Sequence, residues 1–417
     1  MTRRSSPAFL YYLAGIVALG AFLSPQAHGS PILADHLVNI RVGDGTTAPA
    51  GTGLPVALDD YQVNYVAGVP TSVTLIQTIP LPGSTSGAVP TSGNRYLTQG
   101  GTAAGEGGLT RSLDGLYMAL GGYNNTVGGL TNGSGNSGQR VVGLLNLATG
   151  NVDTSTDYAD APVGSAIRNA YTTNGTDIWT ANSTAGVRYV TAGSSTSTTL
   201  SGTGGERRVY VYTNASGGNQ LYTSRQSAPI DGPATVGSPP PPTSGTQTVA
   251  GLPGFPTTNT DESAYDYFFA DPNTLYIADD NATFRGLQKW SFNGSAWTRL
   301  FNLTVTPGTT ARGLKSLAGT VDPTNGNVTL FGASTDTTAN ALYGFTDTMA
   351  NTNVANVTVN KLVDANTAFT GTAWNLRGVA LNAAGGLTTT TFSPEPGTAG
   401  VILTAASLMG LRRRRRS

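Results

Sequence analysis

The sequence predicts an all-β fold, a single β-propeller of six or seven four-stranded blades. Three observations predict it. Runs of four to eight residues rich in Val, Thr, Tyr and Leu alternate with Gly, Asn, Asp and Ser clusters, the signature of strands and turns. Between Ser30 and Ser393 no convincing amphipathic helix interrupts them. A unit of a turn followed by an aromatic-centred strand recurs at intervals that suit one blade.

The recurring unit is legible in five places. Asp114-Gly115 precedes Leu116 to Leu120, Asn174-Gly175 precedes Ile178 to Ala181, and Gly217-Gly218-Asn219 precedes Leu221-Tyr222. Asp271-Pro272-Asn273 precedes Leu275 to Ala278, and Asn325-Gly326-Asn327 precedes Val328 to Phe331. The central aromatics, Tyr117, Trp179, Tyr222, Tyr276 and Phe331, lie 43 to 62 residues apart. A second hairpin follows some copies: Val141 to Leu147, a turn at Ala148-Thr149-Gly150, then Val152, and likewise Lys289 to Phe292, Asn293-Gly294, then Trp297 to Leu303. Each inner strand should come before its turn. Arg312-Gly313-Leu314, Arg377 to Leu381 and the looser Arg168-Asn169-Ala170 fit that place, with glycine allowing close approach at the crowded axis.

Ring closure follows from what is left over. Leu37 to Val42 and Val73 to Pro80 have no turn-aromatic strand before them, and Arg377 to Leu381 and Leu387 to Thr391 have little after them. Joined in one sheet they make a blade without an open ring end. Residues 229–261, with Pro239 to Pro242, read as a Pro-rich surface loop, the alternative being a domain linker. A sandwich array or a β-helix are the competing folds.

Composition excludes several functions. Among 417 residues there is no cysteine and there are two histidines, which removes disulfide scaffolds, thiolate metal sites and cysteine nucleophiles. Only 11% of residues are charged, which argues against nucleic acid as a partner. A Ser-His-Asp triad would have to use His36, placed before the first strand. The carboxylate pairs Asp59-Asp60, Asp261-Glu262 and Asp279-Asp280 read chiefly as turn acids or strand-end caps. They also supply the alternative function, a secreted hydrolase or lyase acting on polysaccharide or phosphoester at the propeller mouth. Asp279, Asp280 and Asn281 offer hard oxygen ligands for calcium, without an EF-hand spacing; no other cofactor is indicated. Trp179, Trp290, Trp297 and Trp374 read as packing between blades rather than a sugar platform. Sequons such as Asn124-Asn125-Thr126, Asn281-Ala282-Thr283 and Asn302-Leu303-Thr304 are acceptor patterns for glycans, frequent by chance in so Asn-rich and Thr-rich a chain.

Both ends read as addresses. Residues 1–29 form a signal peptide: Arg3 and Arg4, an apolar run from Phe9 to Leu23, and Ala27 and Gly29 as the small residues before a signal-peptidase cut at Ser30. The alternative is an uncleaved anchor helix. Residues 393–417 hold Pro394, Glu395 and Pro396, an uncharged stretch from Gly397 to Leu411, and Arg412, Arg413, Arg414, Arg415 and Arg416. As a helix that stretch reaches about 22 Å, short of the ~30 Å hydrocarbon core. The arginines hold its end on the cytoplasmic side. An ordinary tail anchor or a terminal core helix are the other readings. Without its ends the body, residues 30–392, has 16 basic and 22 acidic residues, a net charge of −6.

This ordered tail resembles the PEP-CTERM sorting signal of Gram-negative bacteria. The resemblance covers about 24 residues. It implies recognition by an exosortase in the inner membrane, a cut near the Pro-Glu-Pro triplet, and delivery to the cell surface or extracellular matrix. The body resembles exported bacterial propellers in Val38 to Gly45, Glu106 to Ser112 and Leu275 to Asp280, which implies fold and export but no catalytic residues. The function expected is that of an exported, non-catalytic propeller whose loops bind a surface glycan or a protein.

Overall fold

The computed structural model describes residues 29–383 apart from 47, 49, 84–92, 104, 130, 132–138, 203, 215–216, 259–261, 335–339 and 372–373. The expectations for the signal segment up to residue 28, for Leu387 to Thr391 and for the sorting tail lie outside the described residues.

Six antiparallel four-stranded sheets follow one another. The first blade comprises Leu109–Arg111, Tyr117–Tyr123, Arg140–Asn146 and Val152–Tyr158. The second comprises Ile167–Thr172, Asp177–Asn182, Gly186–Thr191 and Thr198–Thr199. The third comprises Glu206–Thr213, Asn219–Ser227, Ile230–Val236 and Val249–Gly251. The fourth comprises Ala264–Asp271, Thr274–Asp279, Gly286–Phe292 and Trp297–Leu303. The fifth comprises Ala318–Val321, Asn327–Ala333, Ala341–Thr348 and Thr358–Asp364. The sixth takes its inner strand, Asn375–Asn382, from the C-terminal side and its outer three, His36–Val42, Val56–Val66 and Val69–Pro80, from the N-terminal side. Neighbouring inner strands touch in ring order, the sixth against the first. The fold is a closed six-bladed β-propeller.

All five turn-aromatic units form the second strands of the first five blades. Gly115 and Gly175 turn the chain into two of these strands at φ 74° and 77°, a conformation that favours glycine. Alternation then sends side chains to opposite faces. Val38, Ile40 and Val42 pack with Leu109 and Leu120 of the first blade, while Leu37 packs with Phe331 and Leu342 of the fifth. Six apolar clusters result, one between each pair of neighbouring blades. Trp179, Trp290 and Trp297 are buried in them, and Trp374 packs partly buried against Phe369.

Four details differ from the sequence reading. The closing blade contains a strand that was not expected, Val56–Val66, so Asp59 and Asp60 sit mid-strand and buried rather than in a turn. Each acid is met by a neighbouring strand: Arg41 Nε donates to Asp59 at 2.6 Å, and His36 Nδ1 lies 2.8 Å from Asp60. His36 opens the first strand instead of preceding it. The segment 229–261 is a loop only in part, because Ile230–Val236 and Val249–Gly251 complete the third blade. Pro233 is accommodated within the sheet, its carbonyl accepting from Leu252 N–H at 3.0 Å. Finally, Arg312 to Leu314 lies just before the fifth inner strand, not in it.

The N-terminal segment staples the ring. Gly29 and Ile32 N–H donate to the carbonyls of Gly150 and Leu147 in the first blade, at 3.0 and 2.8 Å. Ser30 N–H donates to Gln77 Oε1 of the sixth blade at 2.7 Å. Asn382 Nδ2 holds the carbonyls of Ile32 and Leu33.

Candidate functional site: the polar mouth of the channel

Four of the six inner strands carry a register shift near the start of the strand. The extra residues are Arg168 in the second blade, Arg207 and Arg208 in the third, Tyr265 in the fourth, and Arg377 with Gly378 in the sixth. A bulge of this kind re-aims a side chain out of the pleat. Glu106 and Lys315, just before the first and fifth inner strands, complete a charged collar to which every blade contributes.

Arg208 closes the axis. Its guanidinium donates to the carbonyl of Arg168 at 3.2 Å, of Arg207 at 3.1 Å and of Lys315 at 2.8 Å, and its Nε lies 3.6 Å from Asp266. One buried side chain thus ties the second, third, fourth and fifth blades. Burial pushes the Asp266 carboxyl up, opposed first by Arg208.

Glu106 accepts from the Tyr123 hydroxyl at 2.6 Å and from Gly100 N–H at 2.9 Å. Its pKa is raised, because burial outweighs the nearby Arg377 charge. Arg377 donates to the carbonyls of Gly100 and Gly101 at 2.6 and 3.2 Å and to Gln99 Oε1 at 3.3 Å. The short ribbon of Gly53–Leu54 with Gln99–Gly100 brings that receptor to the axis. Gly378 lets the chains meet here, since a Cβ would stand 2.3 Å from the carbonyl oxygen of Gly107. Beside them Arg207 and Lys315 share one aromatic ring. The Arg207 guanidinium stands 3.7 Å, and Lys315 Nζ 4.6 Å, from the centre of Tyr265. Lys315 also pairs with Asp280 at 3.1 Å. Burial lowers the Arg207 pKa to about 9 and that of Lys315 below its usual value. Glu206, near Arg225, is pushed up to about 7 by burial.

Two small cavities flank the plug. One of about 10 Å³ is lined by Glu106, Arg208, Lys315, Ser334, Asn375 and Arg377. Another of about 60 Å³ lies further along the inner strands, among Tyr171, Tyr210, Tyr212, Tyr267 and the apolar residues of all six blades. Burial holds these phenols well above their usual pKa. Both spaces are far below the ~300 Å³ of a typical small-molecule pocket. The charged groups gather at the mouth, and the wider space beyond it is lined by phenols and apolar side chains.

The carboxylates singled out in the sequence already have partners, and one of them, Asp280, meets the collar at Lys315. Glu262 is held by Arg299 and by Gln288 Nε2 at 2.6 Å, and Asp261 lies outside the described residues. Asp279 accepts from Ser263 N–H at 2.7 Å and Asn281 N–H at 2.6 Å, and Asp280 is bound by Ser263 Oγ and Lys315. Both acids therefore already have partners where calcium was considered. Among the described residues no group of three or more His, Cys, Asp or Glu could hold a metal ion. The sorting residues Pro394 to Pro396 and Arg412 to Arg416, and Ala27, lie outside the described residues; Gly29 and Ser30 form the staple above. Of the collar, the sequence reading names Arg168 and Arg377 as inner-strand residues, Glu106 within the segment Glu106 to Ser112, and Asp280 in a carboxylate pair, but does not bring them together. A signal for it exists: an arginine beside the start of an inner strand.

These features define the class, a six-bladed propeller with a plugged, charged channel mouth. No family model matches the sequence, and no curated protein matches it. Among solved structures the chain is similar to BamB from Moraxella catarrhalis, at 11% identity and a TM-score of 0.26, over 77% of this chain and 87% of that one. So distant a likeness says nothing of ligand or partner, and the propeller assignment rests on the six sheets.

Proposed function

We propose that the chain is an exported propeller that works without catalysis at the cell surface or in the extracellular matrix, where its loops bind a glycan or protein partner. The observation that carries this reading is the ordered tail: Pro394-Glu395-Pro396, an apolar stretch too short for a stable span, and five consecutive arginines. Signal peptidase would release the body at Ser30. The tail would hold it at the inner membrane until an exosortase cuts near the triplet. Among the described residues no helix is long and apolar enough to cross a membrane.

The hydrolase or lyase alternative would draw on carboxylates at the mouth, and the acids found there, Glu106, Asp266 and Asp280, are each already engaged by hydrogen bonds or a cation. No observation favours that reading over binding. Fractionation of the producing cell tests the proposal. The protein should be recovered from the surface or medium, and recovery of the processed chain from the cytoplasm alone would overturn it.

A further inference from the structure

We propose that a groove between the first and second blades, on the side of the ring away from the collar, is a binding site for a neutral saccharide. The inference deepens the surface-protein reading and rests on it only for where such a glycan is met.

The groove lies where the chain departs from its own repeat. Of the five turn-aromatic rings, Trp179, Tyr222, Tyr276 and Phe331 are buried, while Tyr117 is half-buried. Trp179 Nε1 donates to the carbonyl of Pro242 at 2.8 Å, and the Tyr276 hydroxyl is bound to Asp347. Tyr117 instead lines an open space of about 560 Å³ with Leu144, Asn146, Asp153, Ser155 and Gly175. That volume falls within the ~300–1,000 Å³ of small-ligand sites. Gly175 of the second blade packs bare against the ring, where a Cβ would stand 2.6 Å from Cε2. A local break in an otherwise regular pattern is where function is expected.

The free polar groups select the ligand. Among the described residues nothing hydrogen-bonds the Tyr117 hydroxyl, Ser155 Oγ, Asn146 Nδ2 or Asp153 Oδ2. Two hydroxyls that donate and accept, an amide that donates and a carboxylate that accepts suit a ligand rich in hydroxyls. Tyr117 and Leu144 supply the apolar wall for the C–H face of a sugar. No Lys, Arg or His is among the described lining residues. The flanking Arg95 is bound to Asp157 at 3.1 Å and to the carbonyl of Gly93. With one carboxylate and no cation, the groove disfavours an anionic ligand.

The same groove is built against a peptide strand. Its outer edge is Val152–Tyr158. There Thr154 N–H donates to Asn94 Oδ1 at 2.8 Å, Ser155 N–H to Asp153 Oδ1 at 2.7 Å, and Arg95 N–H to Thr154 Oγ1 at 3.0 Å. Backbone donors already capped by side chains are closed to strand addition. The floor is held in place as well. Asn146 Oδ1 accepts from Ala148 and Thr149 N–H at 3.0 and 3.1 Å, and the N-terminal staple grips the carbonyls of Leu147 and Gly150. Little ordering is left for binding to require.

The test is calorimetric titration of the purified full chain with neutral hexamers of glucose, mannose and galactose, with a galacturonate hexamer and a Gly-Ser peptide as comparisons, at low and high salt. Binding of at least one neutral hexamer, unchanged by salt, is the expected result. Tyr117→Ala should lower that affinity about tenfold, and Ser155→Ala and Asp153→Asn about threefold each, with melting temperatures of the last two near that of the parent. If Tyr117→Ala does not fold, the other two variants decide. Absence of binding to every neutral hexamer, tighter binding of the galacturonate hexamer or of the peptide, or affinity unchanged in all folded variants overturns the site. Titration is blind to where the protein resides and fractionation is blind to this groove, so either idea can fail alone.

Discussion

Lys289 and Asp347 show how this fold treats charge at the scale of a residue. Both are fully buried, with Nζ 2.9 Å from the carboxylate, and the ammonium also donates to the carbonyls of Thr348 and Asn351. Tyr276 gives its hydroxyl to the same carboxylate at 2.6 Å. Asp347→Ala would leave the ammonium buried and without its counter-charge. Denaturant unfolding should show a loss of about 3 kcal/mol. A loss below 1 kcal/mol would mean that water or a rearranged neighbour takes over. Glu206 gives a second prediction, in pH. Its folded pKa, about 7, lies above the usual carboxyl value, so the folded state binds the extra proton. Its contribution to stability is therefore fully present below about pH 4.5 and is lost as pH rises towards about 7. Glu206→Gln should flatten that part of a melting-temperature profile, and an unchanged profile would contradict the shift.

At the scale of the element, the second strands were legible because a glycine or Asx turn and a central aromatic mark each of them. Val56–Val66 was not. Its two adjacent acids break the apolar alternation, and their partners, Arg41 and His36, come from a strand that only the fold sets beside it. Ile230–Val236 was hidden by its own Gly232 and Pro233 and by the proline run that follows. The collar was hidden because the bulges that build it arise from pairing, not from composition. Arg168 and Arg377 could be seen beside Asn169 and Gly378, and Glu106 at the head of a glycine-rich segment; Lys315, outside the strands, could not. Inner-strand glycine can be tested directly. Gly378→Ala would drive a methyl group into Gly107 and Leu109 N, and should cost about 1–3 kcal/mol in urea unfolding. Gly51, exposed, without a positive φ and with no atom within 4 Å of an added Cβ, is the control. If Gly51→Ala costs as much as Gly378→Ala, crowding at the axis is not the reason for Gly378.

At the scale of the molecule, the closing blade joins the two ends of the described chain. Residues 29–33 lie between the first and sixth blades, and the last inner strand pairs with His36–Val42. Gln77 receives Ser30 and also donates to Asp60 at 3.0 Å, so the segment beside the proposed signal-peptidase cut is part of ring closure. Gln77→Ala should speed amide hydrogen exchange in the first and sixth blades more than in the third and fourth; uniform change would show that the staple does not hold the ring. The proposed sorting tail, residues 393–417, follows the last inner strand in sequence and lies outside the described residues. On this account a finished propeller is delivered and then freed from the membrane. The most direct measurement is the intact mass of the protein recovered outside the inner membrane. The account predicts a chain that begins at Ser30 and ends near Pro394-Glu395-Pro396, with any glycan visible as added mass. An exported chain that still carries Gly397 to Ser417 would contradict it.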